Sequence, residues 1–265
     1  MHYKSIKWFL TIKIYNQVNK NFDEKDKIKK FFGLQLTQTC VCQVCLSNSI
    51  TQDITFFLPL FIKKSLFSNQ VQTLLNNFFV VEELSEKNLN AFKCNKCDSF
   101  TQANKYVEIA NSTGPIILVV SLNRFEIVSK ANDKFKSKKK LDKVEIEKEV
   151  YIYINNIKYN YELFSIILHR GDSLDQGHYY SYCKRKEEEW ILFNDTSVSF
   201  YNFETILSNI KCVTDTPYML FYSKKTDSLQ FDLNTELNID NSLRNIVKED
   251  NIFYENNLIY SSQIL

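Results

Sequence analysis

Two sets of residues in this sequence have the types and the spacing of chemistry. The first is Gly177-His178-Tyr179-Tyr180-Ser181-Tyr182, followed by Trp190 and by Phe193-Asn194-Asp195. A histidine here follows a glycine-bearing loop and opens a strand-like run. Asn194 comes sixteen residues after it, at the end of what reads as the next strand. An antiparallel hairpin would return that residue beside the histidine. One imidazole nitrogen would then be free, with the other fixed by a side-chain oxygen of Asn194 or Asp195, as a general base requires. Gly177 would let backbone or substrate approach closely. The same pattern also suits an ordinary strand histidine with satisfied nitrogens. The three histidines, at 2, 169 and 178, do not decide by number alone.

The second set is sulfur. Seven cysteines stand at 40, 42, 45, 94, 97, 183 and 212. The count is odd and no signal peptide is recognisable, which does not read as a disulfide framework. Four of them form CxxC pairs, Cys42/Cys45 and Cys94/Cys97. A CxxC turn offers two thiolates to one ion, and two such turns complete a tetrahedral structural zinc site. The alternative is a cluster of buried cysteines that has lost its metal. Forty-eight residues separate the pairs, so each knuckle would sit on its own hairpin, clipped to the other at the tip. Cys40 reads as a core residue, and Cys183 and Cys212 as buried ones.

The elements that must position these groups follow from periodicity. Val71, Leu74, Leu75 and Phe78 predict a helix over 69–79, with Ser68 as its cap. A second short helix is expected near 203–210, capped by Asn202, with Phe203, Ile206, Leu207 and Ile210 on one face. Residues 26–41 read as helix or strand leading to the first knuckle, and Thr55 to Ile62 ends as a strand. After the second knuckle the period becomes two. Tyr106–Ala110, Pro115–Phe125, Val144–Ile154, Tyr159–Leu168, His178–Cys183, Trp190–Phe193 and Tyr218–Tyr222 predict a twisted, largely antiparallel sheet. The seven lysines between Lys130 and Lys143 read as a solvated loop between strands.

Composition narrows the function classes. The 265 residues are 44% hydrophobic and 24% charged, with a net charge of +2. That is ordinary globular usage and asks for neither nucleic acid nor a membrane surface. The apolar stretch Pro115 to Leu122 is far short of the roughly 20 residues of a membrane span. Only four glycines and three prolines occur. Two of the glycines, Gly171 and Gly177, flank the loop before His178.

The chain resembles the C-terminal half of the catalytic domain of ubiquitin-specific proteases, the papain-like cysteine deubiquitinases. The resemblance runs from about Asp26 to Lys224 in ordered blocks: FFGLQLTQTCVCQVC, then SLFSNQVQTLLNNFFVVEELSEKNLNAFKCNKC, GPIILVVSLNRFE, YELFSIILHRGDSLDQGHYYSYC, WILFNDTSVSF and PYMLFYSKK. Asn123 stands where the family's Leu-Lys-Arg-Phe motif has lysine. The resemblance implies an α+β, papain-like fold with zinc fingers at about 38–110 and an antiparallel β palm at about 111–224. Residues 1–25 would be an N-terminal segment of uncertain structure and 225–265 an Asn-rich tail. It further implies His178 as general base, Asn194 as its orienter with Asp195 assisting, and Cys42, Cys45, Cys94 and Cys97 as zinc ligands. Gly171, Asp172, Asp175, Gly177 and Tyr179 would shape the channel for the C-terminal tail of ubiquitin, with Asp172 and Asp175 facing its basic residues. Ubiquitin or ubiquitinated proteins would be the partners, in the cytoplasm or nucleus, with no nucleic acid and no membrane.

The family's nucleophile lies in an Asn-x-Gly-Asn-Thr-Cys box, which this sequence lacks. The LTQTC ending at Cys40 has no Gly-Asn and runs straight into the first knuckle. Cys183 lies five residues after His178, towards the end of the same strand, where it cannot serve. The 25 residues before the matched region are too few for the family's helical thumb. The expectation is therefore the His-box half of a thiol-dependent deubiquitinase whose N-terminal half lies in an omitted exon or ahead of a mis-called start. The alternatives are a non-cleaving ubiquitin binder and a zinc-stabilised adaptor.

Overall fold

A computed structural model describes residues 28–62, 69–88, 90–131, 134–171, 177–186, 188–210 and 215–225, with single positions at 245, 249 and 252. The chain divides into two units, Met1–Thr226 and Asp227–Leu265, and the fold below is that of the first. The expected N-terminal segment, nearly all of the tail, Ser68, Asp172, Asp175 and Cys212 lie outside the described residues.

Strand-forming residues dominate because β-branched and aromatic side chains recur with period two. In chain order the first elements are β1 (Leu34–Cys42), β2 (Asn48–Thr55), β3 (Leu58–Phe61), β4 (Asn69–Gln70), helix α1 (Val71–Phe78), β5 (Glu82–Leu84), β6 (Phe92–Cys94), β7 (Ser99–Thr101) and β8 (Ala103–Ile109). Then come β9 (Ile117–Asn123), β10 (Phe125–Ala131), β11 (Lys134–Lys139), β12 (Val144–Glu145), β13 (Glu149–Ile154) and β14 (Ile157–Arg170). The last are β15 (His178–Lys184), β16 (Trp190–Asn194), β17 (Ser197–Tyr201), helix α2 (Phe203–Asn209) and β18 (Asp215–Lys224).

The main sheet has eight strands in the order β17-β16-β15-β14-β18-β9-β3, with β13 paired to β14. It is antiparallel throughout except for β3 on β9. β14 is its spine: the half near Ile157 pairs with β13 and the half near Arg170 with β15, while β18 runs along its other edge. Asn155 and Asn156, both at positive φ (50° and 64°), turn β13 into β14. Asparagine tolerates that region, as a two-residue I′ hairpin needs. The core is built from Leu58, Leu60, Leu118, Val120, Leu122, Leu163, Ile166, Leu168, Leu220 and Tyr222, with Val71, Leu74 and Leu75 of α1 closing it.

Both predicted helices form. Asn202 caps α2 as expected, its Oδ1 accepting from the backbone N–H of Thr205 at 2.8 Å. The N-cap position of α1 is Gln70, without a side-chain cap bond. The carboxylate of Glu147 accepts from the backbone N–H of Gln72 at 3.4 Å instead. The Gln72 side chain then behaves like a short strand. Its Nε2 donates to the carbonyl of Tyr151 at 3.0 Å and its Oε1 accepts from the Tyr151 N–H at 2.8 Å. That satisfies the edge of β13 left unpaired by β14.

A second sheet, β2-β1-β8-β5, carries the first cysteine knuckle between β1 and β2, and the small β6–β7 hairpin carries the second. Cys40 is buried there with Leu84 and Ala103, the core role expected of it. Three features differ from the sequence reading. The 38–110 stretch is not one continuous body, because β3 joins the main sheet and α1 packs on its core. Cys183 is half-buried rather than buried, its Sγ 3.3 Å from the hydroxyl of Ser165. Most of the segment Lys130 to Lys143 is not a solvated loop: β10 and β11 pair as a hairpin with Phe125 opposite Lys139. At its base Lys139 is only 5% exposed. A lysine-rich run satisfies strand alternation as well as a loop does, and its charges hid the pattern.

Candidate functional site

β14, β15 and β16 bring the first set of residues together. Arg170 at the end of β14 lies opposite His178 at the start of β15, and β16 returns antiparallel to β15. Asn194 ends β16, and its Oδ1 lies 2.5 Å from His178 Nε2. An amide oxygen can only accept, so Nε2 carries the hydrogen, and on the neutral ring Nδ1 keeps its lone pair. Among the described residues no group bonds to that Nδ1. Asp195 follows in the turn to β17, at φ 51°, with Oδ2 3.8 Å from Nε2. Its carboxylate is exposed and reaches the ring as a charge rather than as a hydrogen bond.

The imidazole of His178 lies near-parallel to the Tyr180 ring, 24° between planes and 6.2 Å between centroids. The phenol of Tyr180 donates to Asp215 Oδ2 at 2.8 Å. Arg170 holds the same carboxylate with two bonds, Nε to Oδ1 at 2.8 Å and Nη2 to Oδ2 at 2.6 Å. Burial, then Asp215, pushes the phenol of Tyr180 well above its ordinary range. The hydrogen bond and charge of Asp215 push the Arg170 guanidinium up likewise.

The opposite face of the same strands is aromatic. His169 is 1% exposed, with ring contacts to Tyr179, Phe125 and Tyr218 at centroid distances of 4.7, 5.6 and 6.4 Å. Burial first, and the Lys139 ammonium second, lower its proton affinity. Lys139 Nζ donates to the carbonyls of His169 and Gly171 at 2.9 and 2.7 Å. The hairpin base thus braces the point where the chain leaves the sheet for the loop before His178. Gly171 takes φ 129°, a region that suits glycine. Gly177 is required for space instead: a Cβ there would overlap the His169 imidazole and the Arg170 carbonyl. Tyr179 is half-exposed and sits on the His169 side of the sheet, not the His178 side, because strand side chains alternate.

Of the predicted site residues the structure gathers His178, Asn194 and Asp195; Gly171 and Gly177 flank the loop before His178, and Tyr179 lies on the other face of the sheet. Sequence reasoning missed Arg170, Tyr180, Asp215 and Lys139 as parts of this region. The motif itself contains Tyr180 and Arg170 flanks its loop, but Asp215 is 45 residues from Arg170, and nothing local announces the pair.

The sulfur set also comes together. The Sγ atoms of Cys42, Cys45, Cys94 and Cys97 lie within 4.8 Å of one another. The Cys45–Cys94 pair is at 3.6 Å and the Cys42–Cys97 pair at 4.0 Å. Thiolates on a tetrahedral ion at about 2.3 Å lie about 3.8 Å apart, so the donor set fits a metal of that size. Leu46 and Asp98, each following the second cysteine of a knuckle, take φ 57° and 50°. Hydroxyls line the sulfurs: Thr101 Oγ1 is 3.3 Å from Cys42 and Ser47 Oγ 3.0 Å from Cys45. The Thr101 bond, with backbone donors, lowers Cys42 to about 6.

The family model for ubiquitin carboxyl-terminal hydrolase matches residues 8–222. The chain belongs to that family. It is 31% identical over 212 residues to human ubiquitin carboxyl-terminal hydrolase 35, covering 71% of this chain and 20% of that protein. Identity is 29% over 229 residues to probable ubiquitin carboxyl-terminal hydrolase 16 of Schizosaccharomyces pombe, covering 83% and 46%. The chain thus spans less than half the length of these relatives. Among solved structures, the yeast SAGA DUB module superposes with a TM-score of 0.64 at 26% identity, over 84% of this chain and 50% of that one. The SAGA Ubp8/Sgf11/Sus1/Sgf73 DUB module bound to ubiquitin aldehyde gives 0.58 at 26%, over 75% and 42%. The hydrolase fold of these structures is therefore the fold of this chain, in a mostly β form. Among the described residues no helix is long and apolar enough to cross a membrane.

Proposed function

We propose that this chain supplies the general base and its orienter to a thiol-dependent deubiquitinase. The reaction is hydrolysis of the peptide or isopeptide bond after the C-terminal glycine of ubiquitin. The supporting observation is the 2.5 Å contact of Asn194 Oδ1 with His178 Nε2, which leaves Nδ1 available to a thiol. In this reading Nδ1 takes the thiol proton as sulfur attacks the carbonyl carbon. The imidazolium, steadied by Asn194 and by the Asp195 carboxylate, then protonates the leaving amine. Water, deprotonated by the same nitrogen, releases ubiquitin from the thioester.

The other expectations belong to the same proposal. Gly171, Asp172, Asp175, Gly177 and Tyr179 serve the basic C-terminal tail of ubiquitin. The fold is the papain-like fingers and palm, with fingers drawn from 38–110 apart from β3 and α1, and palm from 111–224. Cys42, Cys45, Cys94 and Cys97 hold a structural zinc that clamps the knuckles. The setting is intracellular, in cytoplasm or nucleus.

A second reading is that the chain binds ubiquitin without cleaving it. The test is calorimetric binding of the full chain to ubiquitin, with and without the C-terminal di-glycine. Both readings expect binding that weakens at least about tenfold without the tail, and no binding refutes both. Turnover of a fluorogenic ubiquitin conjugate, when a relative's Cys-box half is supplied in trans and lost with His178→Ala, selects the first. Binding without turnover selects the second.

A further inference from the structure

Two buried cations stand at the base of the β10–β11 hairpin, and both donate to backbone carbonyls. Arg124, immediately before β10, is 1% exposed. Its Nε donates to the carbonyl of Pro217 at 2.6 Å, and its Nη1 to those of Lys140 and Asp142, each at 3.0 Å. Lys139, the last residue of β11, donates to the carbonyls of His169 and Gly171. The hairpin base therefore grips β18 through Arg124 and the end of β14 through Lys139. Burying an ammonium is costly unless hydrogen bonds satisfy it, and an apolar side chain could fill the same space. A lysine at this base thus points to a task beyond filling. What it grips is the segment on which His178 is registered. Pairing of β15 with β16 stops at Ser181 opposite Phe193, three residues short of His178. Pairing of β15 with β14 continues to His178 itself, opposite Arg170. Arg170 lies between the two carbonyls that Lys139 holds. Gly177, which leads into His178, packs against the Arg170 carbonyl and the His169 ring.

We propose that Lys139 is a positioning residue for His178. By fixing the backbone at 169–171 it sets where β15 begins, and so holds the imidazole against Asn194. Arg124 anchors the hairpin that carries it. The proposal rests on His178 being the general base of the reading above. Lys139 touches no reacting group and acts through the backbone alone. The bond from His178 Nε2 to Asn194 Oδ1 joins the first residue of β15 to the last of β16, beyond the reach of the β15–β16 ladder. That bond keeps its geometry only while the end of β14 keeps its place, since β14 is the strand to which the His178 backbone is paired. Without the ammonium the two carbonyls lose a charge-assisted donor, and the strand end is free to shift.

The test is hydrogen exchange followed by nitrogen–proton NMR in the full chain. The reporter is the Nε2 proton of His178, assigned by its loss in His178→Gln. In Lys139→Met this proton should exchange at least about tenfold faster than in wild type. Backbone amides of β1 and β8, in the second sheet, should stay within about twofold. Lys139→Arg, which keeps a charged donor, should restore most of the protection. An unchanged Nε2 proton in Lys139→Met overturns the proposal. So does equal acceleration of the Nε2 proton and the β1 and β8 amides, which would make Lys139 a general stabiliser. If Lys139→Met does not fold, Lys139→Gln keeps one neutral donor and is read by the same criteria. Calorimetry with ubiquitin separates this proposal from the reading beneath it. A wild-type chain that ignores ubiquitin, with exchange moving as expected, removes the deubiquitinase reading and leaves Lys139 as the residue that places His178. Ubiquitin binding with exchange unmoved leaves the reading and removes the role of Lys139.

Discussion

Replacing Gly177 by alanine perturbs the tightest backbone approach near His178. Gly177 is not in the left-handed region, so the cost of a side chain comes from space. A methyl there would meet the Arg170 carbonyl oxygen at 2.7 Å and His169 Cε1 at 2.8 Å, with Nε2 nearer still, where ordinary contact begins at 3.4 Å. Neither neighbour can yield cheaply. The Arg170 carbonyl lies between the two carbonyls that Lys139 holds, and the His169 ring is wedged against Phe125 and Tyr179. Overpacking of this kind costs about 1–3 kcal/mol. The stiffer unfolded chain of alanine offsets about 0.4–1 kcal/mol of it. The net loss is about 1–2 kcal/mol, which in a domain of this size lowers Tm by roughly 2–8 °C. Thermal unfolding followed by circular dichroism reads the shift. Repeating it in a His169→Ala background should recover at least about 0.5 kcal/mol of the cost as coupling. An unchanged or higher Tm refutes the close approach. Equal cost in both backgrounds refutes the ring as its cause.

Two further outcomes follow from the fingers and from α1. Chain purified without chelator should carry one zinc per molecule by elemental analysis, and Cys94→Ser should lose it and lower Tm by roughly 5 °C or more; metal-free protein with the same Tm would remove the clamp. Gln72→Ala strips β13 of both side-chain bonds to Tyr151 and should cost about 1–3 kcal/mol in urea unfolding, whereas a loss under about 0.3 kcal/mol would mean the amide is no substitute strand.

What the sequence made legible was local. The i, i+3, i+4, i+7 spacing of Val71, Leu74, Leu75 and Phe78 located α1, and the Asn202 cap located α2. Alternation exposed β9, β14, β15 and β16. The sixteen-residue return from His178 to Asn194 was a register argument, and the register holds. What stayed hidden was non-local or ran against type. Asp215 meets Arg170 across 45 residues, and the pairing of β3 with β9 joins segments some sixty residues apart. Lys139 has the residue type of a surface yet is buried, because two carbonyls satisfy its ammonium. Gln72 carries no signal at all: its amide matters only because the Tyr151 edge passes beside it.

The course of the chain between the two knuckles bears on how this protein can come apart. A metal joining Cys42 and Cys45 to Cys94 and Cys97 closes a loop of about fifty residues, at an entropic cost that grows only slowly with loop length. That loop is not a free finger. Midway through it the chain leaves to lay β3 on the main sheet and α1 on the main core, and then returns. Neither sheet can be cut away whole without taking part of the other. Both sheets lie in one compact unit, and the knuckles fasten the same structure that carries His178, at its far end in sequence.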